Sequence, residues 1–376
     1  MRGLALMGFA HSLLLGYKHA VAERSRGGVD RSRSSDIGEM EARFLMTTCR
    51  TSALLASVLL LAGATTYADA APSRTRRFEI RYTATIPPVP AGTQQLRVWL
   101  PYPESDGWQS IDSVVIDAPF AHSIHHDREY GNGVLLLESQ QPPAAGAQIT
   151  MTFDATRREY VNRPDGPRDA DARRVDPKLL QRFRQPDKLV PLQGKIAEVA
   201  REATKDAHTE VEKARAIYDY VTTHLHYDKS GTGWGRGDAI WACDNKRGNC
   251  TDYHSLLIGM ARAVGIPAKF EIGLPLPEGQ AEGPIGGYHC WAAFYLDGIG
   301  WVPVDSSEAS KFPAKRDYFF GALDTNRVRM SIGRDITLDP QQRGEPINYF
   351  VYPYAEVDGQ RLDGVTQAFA FRELER

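Results

Sequence analysis

The chain has 376 residues, and its 42% hydrophobic and 24% charged content is that of a globular protein with room for a sizeable core and more than one compact unit. A formal net charge of −2 supplies no basic field for nucleic acid. Four cysteines without a C-x2-C pair exclude a disulfide-dense scaffold and the usual structural zinc motifs.

Residues 1–45, with an Arg/Ser/Gly-rich stretch at 24–35 and no apolar periodicity, read as a disordered extension or as the product of a start placed too early. From Met46 the chain shows Arg50, an apolar run from Ala53 to Ala64, and small residues at Ala68, Ala70 and Ala71. This is the build of a secretory signal peptide over 46–71, cut near Ala70 or Ala71, with Leu4 to Leu15 as an alternative apolar run. The run is shorter than the roughly 20 residues a spanning helix needs. Ala64 stands where lipid attachment would require a cysteine. The mature chain is therefore expected in the periplasm or secreted, without stable membrane insertion.

Between 76 and 160, short runs such as Phe78-Glu79-Ile80-Arg81-Tyr82, Leu96 to Leu100 and Gln148 to Phe153 alternate with period two between Pro, Gly and Asp clusters, which predicts a small β-sandwich. A polar, proline-punctuated stretch over 161–191 reads as a linker that wraps the surface. The remainder, 192–376, reads as an α+β unit with further strands at its C-terminal end, around Asn348 to Val357 and Thr366 to Phe371.

Two helices open that second unit. Thr209 can cap a segment with Val211, Ala214, Ile217, Tyr218, Val221 and Leu225 on one stripe. Asn249 can cap a second, with Tyr253, Leu256, Leu257, Met260, Ala261 and Val264 on its apolar side, Gly265 as a left-handed stop and Pro267 beyond. Cys250 falls at the first helical position. There the helix dipole and unpaired backbone N–H groups favour a thiolate and can hold an oxyanion, and Gly248 permits close backbone approach.

A nucleophilic thiol needs a base within hydrogen-bond reach and a third group to orient that base. His289 and Asp305 lie on two predicted strands joined by Asp297-Gly298-Ile299-Gly300, a hairpin signal. A loop of Asp297 to Ile299 places Trp291 opposite Asp305 and His289 diagonally from it on the same sheet face, whereas a loop one residue longer or shorter puts them on opposite faces unless a bulge intervenes.

The runs Lys246-Arg247-Gly248-Asn249-Cys250-Thr251-Asp252-Tyr253-His254, Arg262-Ala263-Val264-Gly265-Ile266-Pro267, Tyr288-His289-Cys290-Trp291-Ala292 and Gly300-Trp301-Val302-Pro303-Val304-Asp305 together resemble the transglutaminase-like superfamily, whose core is papain-related in layout. The resemblance is close from about Thr209 to Asp305. It implies a core in which a cysteine-bearing helix packs on an antiparallel sheet, with Cys250 as nucleophile, His289 as base and Asp305 as orienting acid. Such an enzyme acts on a peptide or protein substrate, of the cell envelope among other sources, by acyl transfer or hydrolysis through a thioester. No calcium loop matches that of the animal transglutaminases, so neither metal nor cofactor is expected.

Cys290, one residue after His289 in a strand, should point to the opposite face and take no catalytic part. With Cys243 it could close a disulfide after export, or both could be core thiols. Trp241, Trp291 and Trp301 read as packing residues, His254 as structural, and His125, His126, His224 and His226 as surface or loop residues. The opposing reading is a non-catalytic cell-envelope binding or scaffold module that keeps the fold.

Overall fold

The computed structural model describes residues 74–167, 173 and 175–375, so the signal segment expected at 46–71 and the extension before it lie outside the described residues. Phe78, Ile80, Tyr82 and Ala84 are buried while their neighbours face outward, and this period-two run forms β1 (Thr75–Ile86). Further strands follow: β2 (Leu96–Tyr102), β3 (Gln109–Asp117), β4 (Ala121–His126), β5 (Gly133–Ser139), β6 (Ala147–Arg158) and the short β7 (Tyr160–Val161).

The segment expected to be a linker carries α1 (Pro177–Arg182), capped by Asp176 and started by a proline, the residue best suited to a first helical turn. It is fastened down because Asp187 binds Arg182 at 2.7 Å and the buried Arg262 at 2.8 Å. Then come α2 (Lys195–Ala203), α3 (Glu210–His224), β8 (His226–Tyr227), α4 (Ala239–Asn245), β9 (Arg247–Gly248) and α5 (Cys250–Ala263). Both expected caps are present: Thr209 forms a capping box with Glu212 on α3, and Asn249 forms one with Asp252 on α5. The chain continues through β10 (Ala268–Pro275), β11 (Glu282–Ile285), β12 (His289–Leu296), β13 (Gly300–Val304), α6 (Ser306–Lys311), β14 (Ala322–Leu323), β15 (Arg327–Ile332), β16 (Tyr354–Val357), β17 (Gln360–Arg361) and β18 (Thr366–Glu373).

The β-rich region is a pair of five-stranded antiparallel sheets, ordered β11-β18-β1-β6-β3 and β17-β16-β2-β5-β4. The C-terminal strands, read from the sequence as part of the second unit, instead complete these two sheets: β18 pairs with β1, and β16 with β2. The site is built on a third, four-stranded antiparallel sheet, β13-β12-β10-β15, against which α5 packs. Helix α5 also touches α2, α3 and α4, so nearly all of it is buried, well beyond the single stripe visible in the sequence. Among the described residues, no helix is long and apolar enough to cross a membrane.

Candidate active site

Cys250 begins α5, where Asn249 Oδ1 accepts from the N–H groups of Thr251 at 2.9 Å and Asp252 at 3.4 Å. Asp252 answers by accepting from Asn249 N at 3.0 Å, and also from Gly235 N at 2.7 Å and Gly237 N at 3.0 Å, so one buried carboxylate ties the preceding loop to the helix start. This explains Gly248. Its φ is +149°, and a Cβ there would run into the Asp252 carboxylate, so the close approach it permits is to a capping side chain. Tyr288 completes the frame, its hydroxyl 2.7 Å from Thr251 Oγ1 and 3.0 Å from the Asn249 amide nitrogen.

The hairpin from β12 to β13 pairs Ala292 with Val304 and Leu296 with Gly300, the register of a three-residue loop. His289 and Asp305 consequently meet: His289 Nε2 lies 2.7 Å from Asp305 Oδ2. With Nε2 so occupied, Nδ1 is the ring nitrogen left for the Cys250 thiol, with which His289 is in hydrogen-bond contact. Asp305 leaves the sheet to cap α6, its Oδ1 accepting from Glu308 N and Ser307 Oγ, both at 3.0 Å.

Burial and charge shape the three groups together. Burial alone would push the Cys250 thiol up, but hydrogen bonds from Cys290 and His289 and the His289 charge outweigh it and hold the thiol well below its ordinary value. Burial opposes the imidazolium of His289, yet the Asp305 carboxylate and the Cys250 thiolate raise it to about 10. Burial would also raise Asp305, which the His289 and Arg327 charges hold well below the usual carboxylate range. The arrangement favours a thiolate–imidazolium pair over two neutral groups.

Two neighbours were not legible as parts of this cluster. Strand alternation predicts Cys290 to be set apart from His289, yet both are hydrogen-bond partners of the Cys250 thiol at the start of α5. The Cys290 sulfur sits 3.9 Å from Thr251 Oγ1 and 3.7 Å from His254 Nδ1, and its thiol, kept protonated by burial and the adjacent thiolate, donates toward Cys250. Arg327 at the start of β15 reaches Asp305 Oδ2 at 2.9 Å, and no local sequence signal marks it. His254 is structural: its Nδ1 lies 2.8 Å from Cys250 O and its Nε2 accepts from Ser306 N at 3.2 Å. Cys243, Cys250 and Cys290 are all free thiols. His125 and His126 lie on edge strand β4, and His224 stacks on Tyr220.

A cleft of about 430 Å³ opens over His289, walled by Tyr227, Tyr288, Glu308, Phe312 and Arg327 among others. Cys250, the hydrogen-bond partner of His289, is itself only 2% exposed.

Residues 197–306 match the family model of the transglutaminase-like superfamily, a span that holds Cys250, His289 and Asp305. An uncharacterized protein of Haemophilus influenzae is 28% identical over 315 residues, covering 73% of this chain and 84% of the relative. The human kyphoscoliosis peptidase is 29% identical over 142 residues, which is 35% of this chain but 21% of that protein. A candidate cysteine protease from Cytophaga hutchinsonii has the same fold, with a TM-score of 0.57 at 14% identity over 81% of this chain and 92% of its own.

Proposed function

Residues 197–306 form a transglutaminase-like core domain, and from that premise we propose that the protein is an exported thiol enzyme that transfers or hydrolyses acyl groups at carboxamide or peptide bonds. The observation that carries this reading is the buried relay itself: a thiol at a helix start, in contact with a histidine whose far nitrogen is 2.7 Å from a carboxylate. A structural cysteine needs no such partners.

In this reaction Cys250 Sγ attacks the carbonyl carbon, and the developing oxyanion is met by the Cys250 N–H. That group has no partner among the described hydrogen bonds, whereas the N–H groups of Thr251 and Asp252 are taken by Asn249. His289 delivers its proton to the departing nitrogen, which leaves as an amine or ammonia, and a thioester remains on Cys250. Water or an amine then attacks the thioester, gives a proton to His289, and releases the acid or the new amide. Asp305 keeps the imidazole in the required orientation and tautomer throughout. Export rests on the signal-like segment 46–71.

Incubating the purified chain with peptide libraries, with and without an added amine, and reading products by mass spectrometry tests this. Cleaved, deamidated or amine-bearing products are expected from the wild type and none from Cys250→Ala. Turnover that survives Cys250→Ala would exclude the reading.

A further inference from the structure

Asp305 has one oxygen that serves two cations. Oδ2 accepts from His289 Nε2 at 2.7 Å and from Arg327 Nη1 at 2.9 Å. The guanidinium is itself clamped: Asp324 accepts from Nε at 3.3 Å and from Nη2 at 3.1 Å, and the Trp291 ring lies 5.1 Å from the guanidinium carbon. Arg327 is 3% exposed and Asp305 not at all, so neither charge is screened by water. Asp324 is partly exposed and forms part of the cleft wall.

We propose that Arg327 is a positioning residue for the reaction, which limits how tightly Asp305 keeps the imidazolium of His289 by sharing the same carboxylate oxygen. This rests on the Cys250–His289–Asp305 reading above. In thiol acyl transfer the imidazolium must form beside the thiolate and then surrender its proton to the leaving nitrogen. A buried aspartate compensated by His289 alone would favour the charged ring so strongly that this surrender becomes slow. Arg327 takes part of the carboxylate's charge and adds a like charge near the ring, and both effects loosen the proton. Its rigid fork explains why arginine suits the place: one arm meets Asp305 while the other two nitrogens meet Asp324.

The other charged or titratable groups around His289 are fewer. From α5 come Cys250 and, 3.6 Å from Asp305 Oδ1, His254, whose buried ring is held neutral. From α6 comes Glu308, 4.0 Å from His289 Nε2 and paired with Lys311. The protonated Cys290 thiol and the phenols of Tyr227, Tyr288 and Tyr218 also face the cluster. None of these touches Asp305 Oδ2, so Arg327 and His289 divide that atom between them.

The test needs no substrate. The rate of Cys250 alkylation by iodoacetamide, followed from pH 4 to 11 by mass mapping of the Cys250 peptide in the full chain, has two inflections in a thiolate–imidazolium enzyme. The lower one marks formation of the pair and the upper one loss of the imidazolium proton. Arg327→Met is expected to raise the upper inflection by about one pH unit, and Arg327→Lys to restore most of the shift. Asp324→Asn, at a partly exposed position, is expected to move it downward, because Arg327 then has only Asp305 to serve. This opposite sign keeps the proposal testable should Arg327→Met fold poorly. An unchanged upper inflection in Asp324→Asn and Arg327→Lys, with Arg327→Met losing only thermal stability, would reduce Arg327 to a structural ion pair. A wild-type profile with one inflection near the ordinary thiol value would instead overturn the nucleophile reading, and this inference with it.

Discussion

Asn249 and Asp252 cap each other across the first turn of α5, each side chain holding the other's backbone N–H, and Cys250 is the first of the two residues enclosed between them. The box therefore fixes the direction of the sulfur as well as the end of the helix. Asn249→Ala is expected to cost about 1 kcal/mol of stability, a typical cap loss. It should slow alkylation of Cys250 by more than that loss accounts for, because the freed first turn no longer holds the thiol under His289. Denaturant unfolding alongside alkylation rates at pH 6 measures both, and an undiminished rate in the variant would show that the cap serves the helix alone.

Cys290 presents its thiol to the Cys250 sulfur from the sheet. Cys290→Ala removes that donor while leaving the His289 contact in place. A hydrogen bond to a charged group contributes about 2 kcal/mol, so alkylation of Cys250 at pH 5 should slow by about tenfold or more. The fold should survive, since deleting one buried sulfur leaves only a small cavity. Equal rates at pH 5 in the two proteins would remove Cys290 from the account of thiol activation.

The parts of the site that local chemistry dictates were legible in the sequence. The start of α5 follows from Asn249, and its stop from Gly265, whose φ is +89°. The His289–Asp305 pairing was one of the arrangements the sequence permitted, and the three-residue loop between Leu296 and Gly300 realises it. What depends on distant packing was not legible. Arg327 lies 22 positions beyond Asp305 and gains its role only when β15 pairs with β10. The strands β16 and β18 carry an alternation that fits any half-buried sheet, so their union with β2 and β1 reflects long-range complementarity. The run from Asn348, expected to be extended, becomes a strand only at Tyr354. Its earlier polar groups are engaged elsewhere: Asn348 Oδ1 binds Arg334, and Phe350 O accepts from Ser331 Oγ at 2.5 Å.

Beneath the site, the buried Glu271 accepts from Trp291 Nε1 at 2.6 Å and pairs with Lys269 at 2.5 Å. Burial would raise its carboxyl, but Lys269, Arg329 and the indole N–H hold it down to about 2. A carboxylate depressed on folding contributes stability above its unfolded value, near 4.3, and loses that contribution as pH falls through its folded value. Wild-type stability should thus fall between about pH 5 and 1 by on the order of 3 kcal/mol more than that of Glu271→Gln. Chemical denaturation across this range measures the difference. Parallel acid limbs in the two proteins would place the acid sensitivity in other carboxylates.

Asp305→Asn is the substitution for which sequence and structure lead to different expectations. Judged from the sequence, the amide keeps the shape, loses control of the imidazole tautomer, and leaves stability almost unchanged. In the structure, Asp305 receives four donors: His289 Nε2 and Arg327 Nη1 on Oδ2, Ser307 Oγ and Glu308 N on Oδ1. An asparagine can offer its oxygen to only one of these pairs. If the oxygen faces His289 and Arg327, the amide nitrogen meets Glu308 N–H, which cannot accept, and the α6 cap is lost. In the opposite orientation the nitrogen meets the Arg327 fork, and a buried guanidinium loses one of its anions. Either way a buried donor goes unpaired, at a cost of about 2 kcal/mol. Activity per folded molecule should still fall by about a thousandfold or more, because His289 loses its orienting charge. Measuring kcat/KM at 25 °C well below the variant's melting temperature separates the two effects. Wild-type activity from the folded variant would show that Asp305 is a helix cap and ion-pair partner with no part in the reaction.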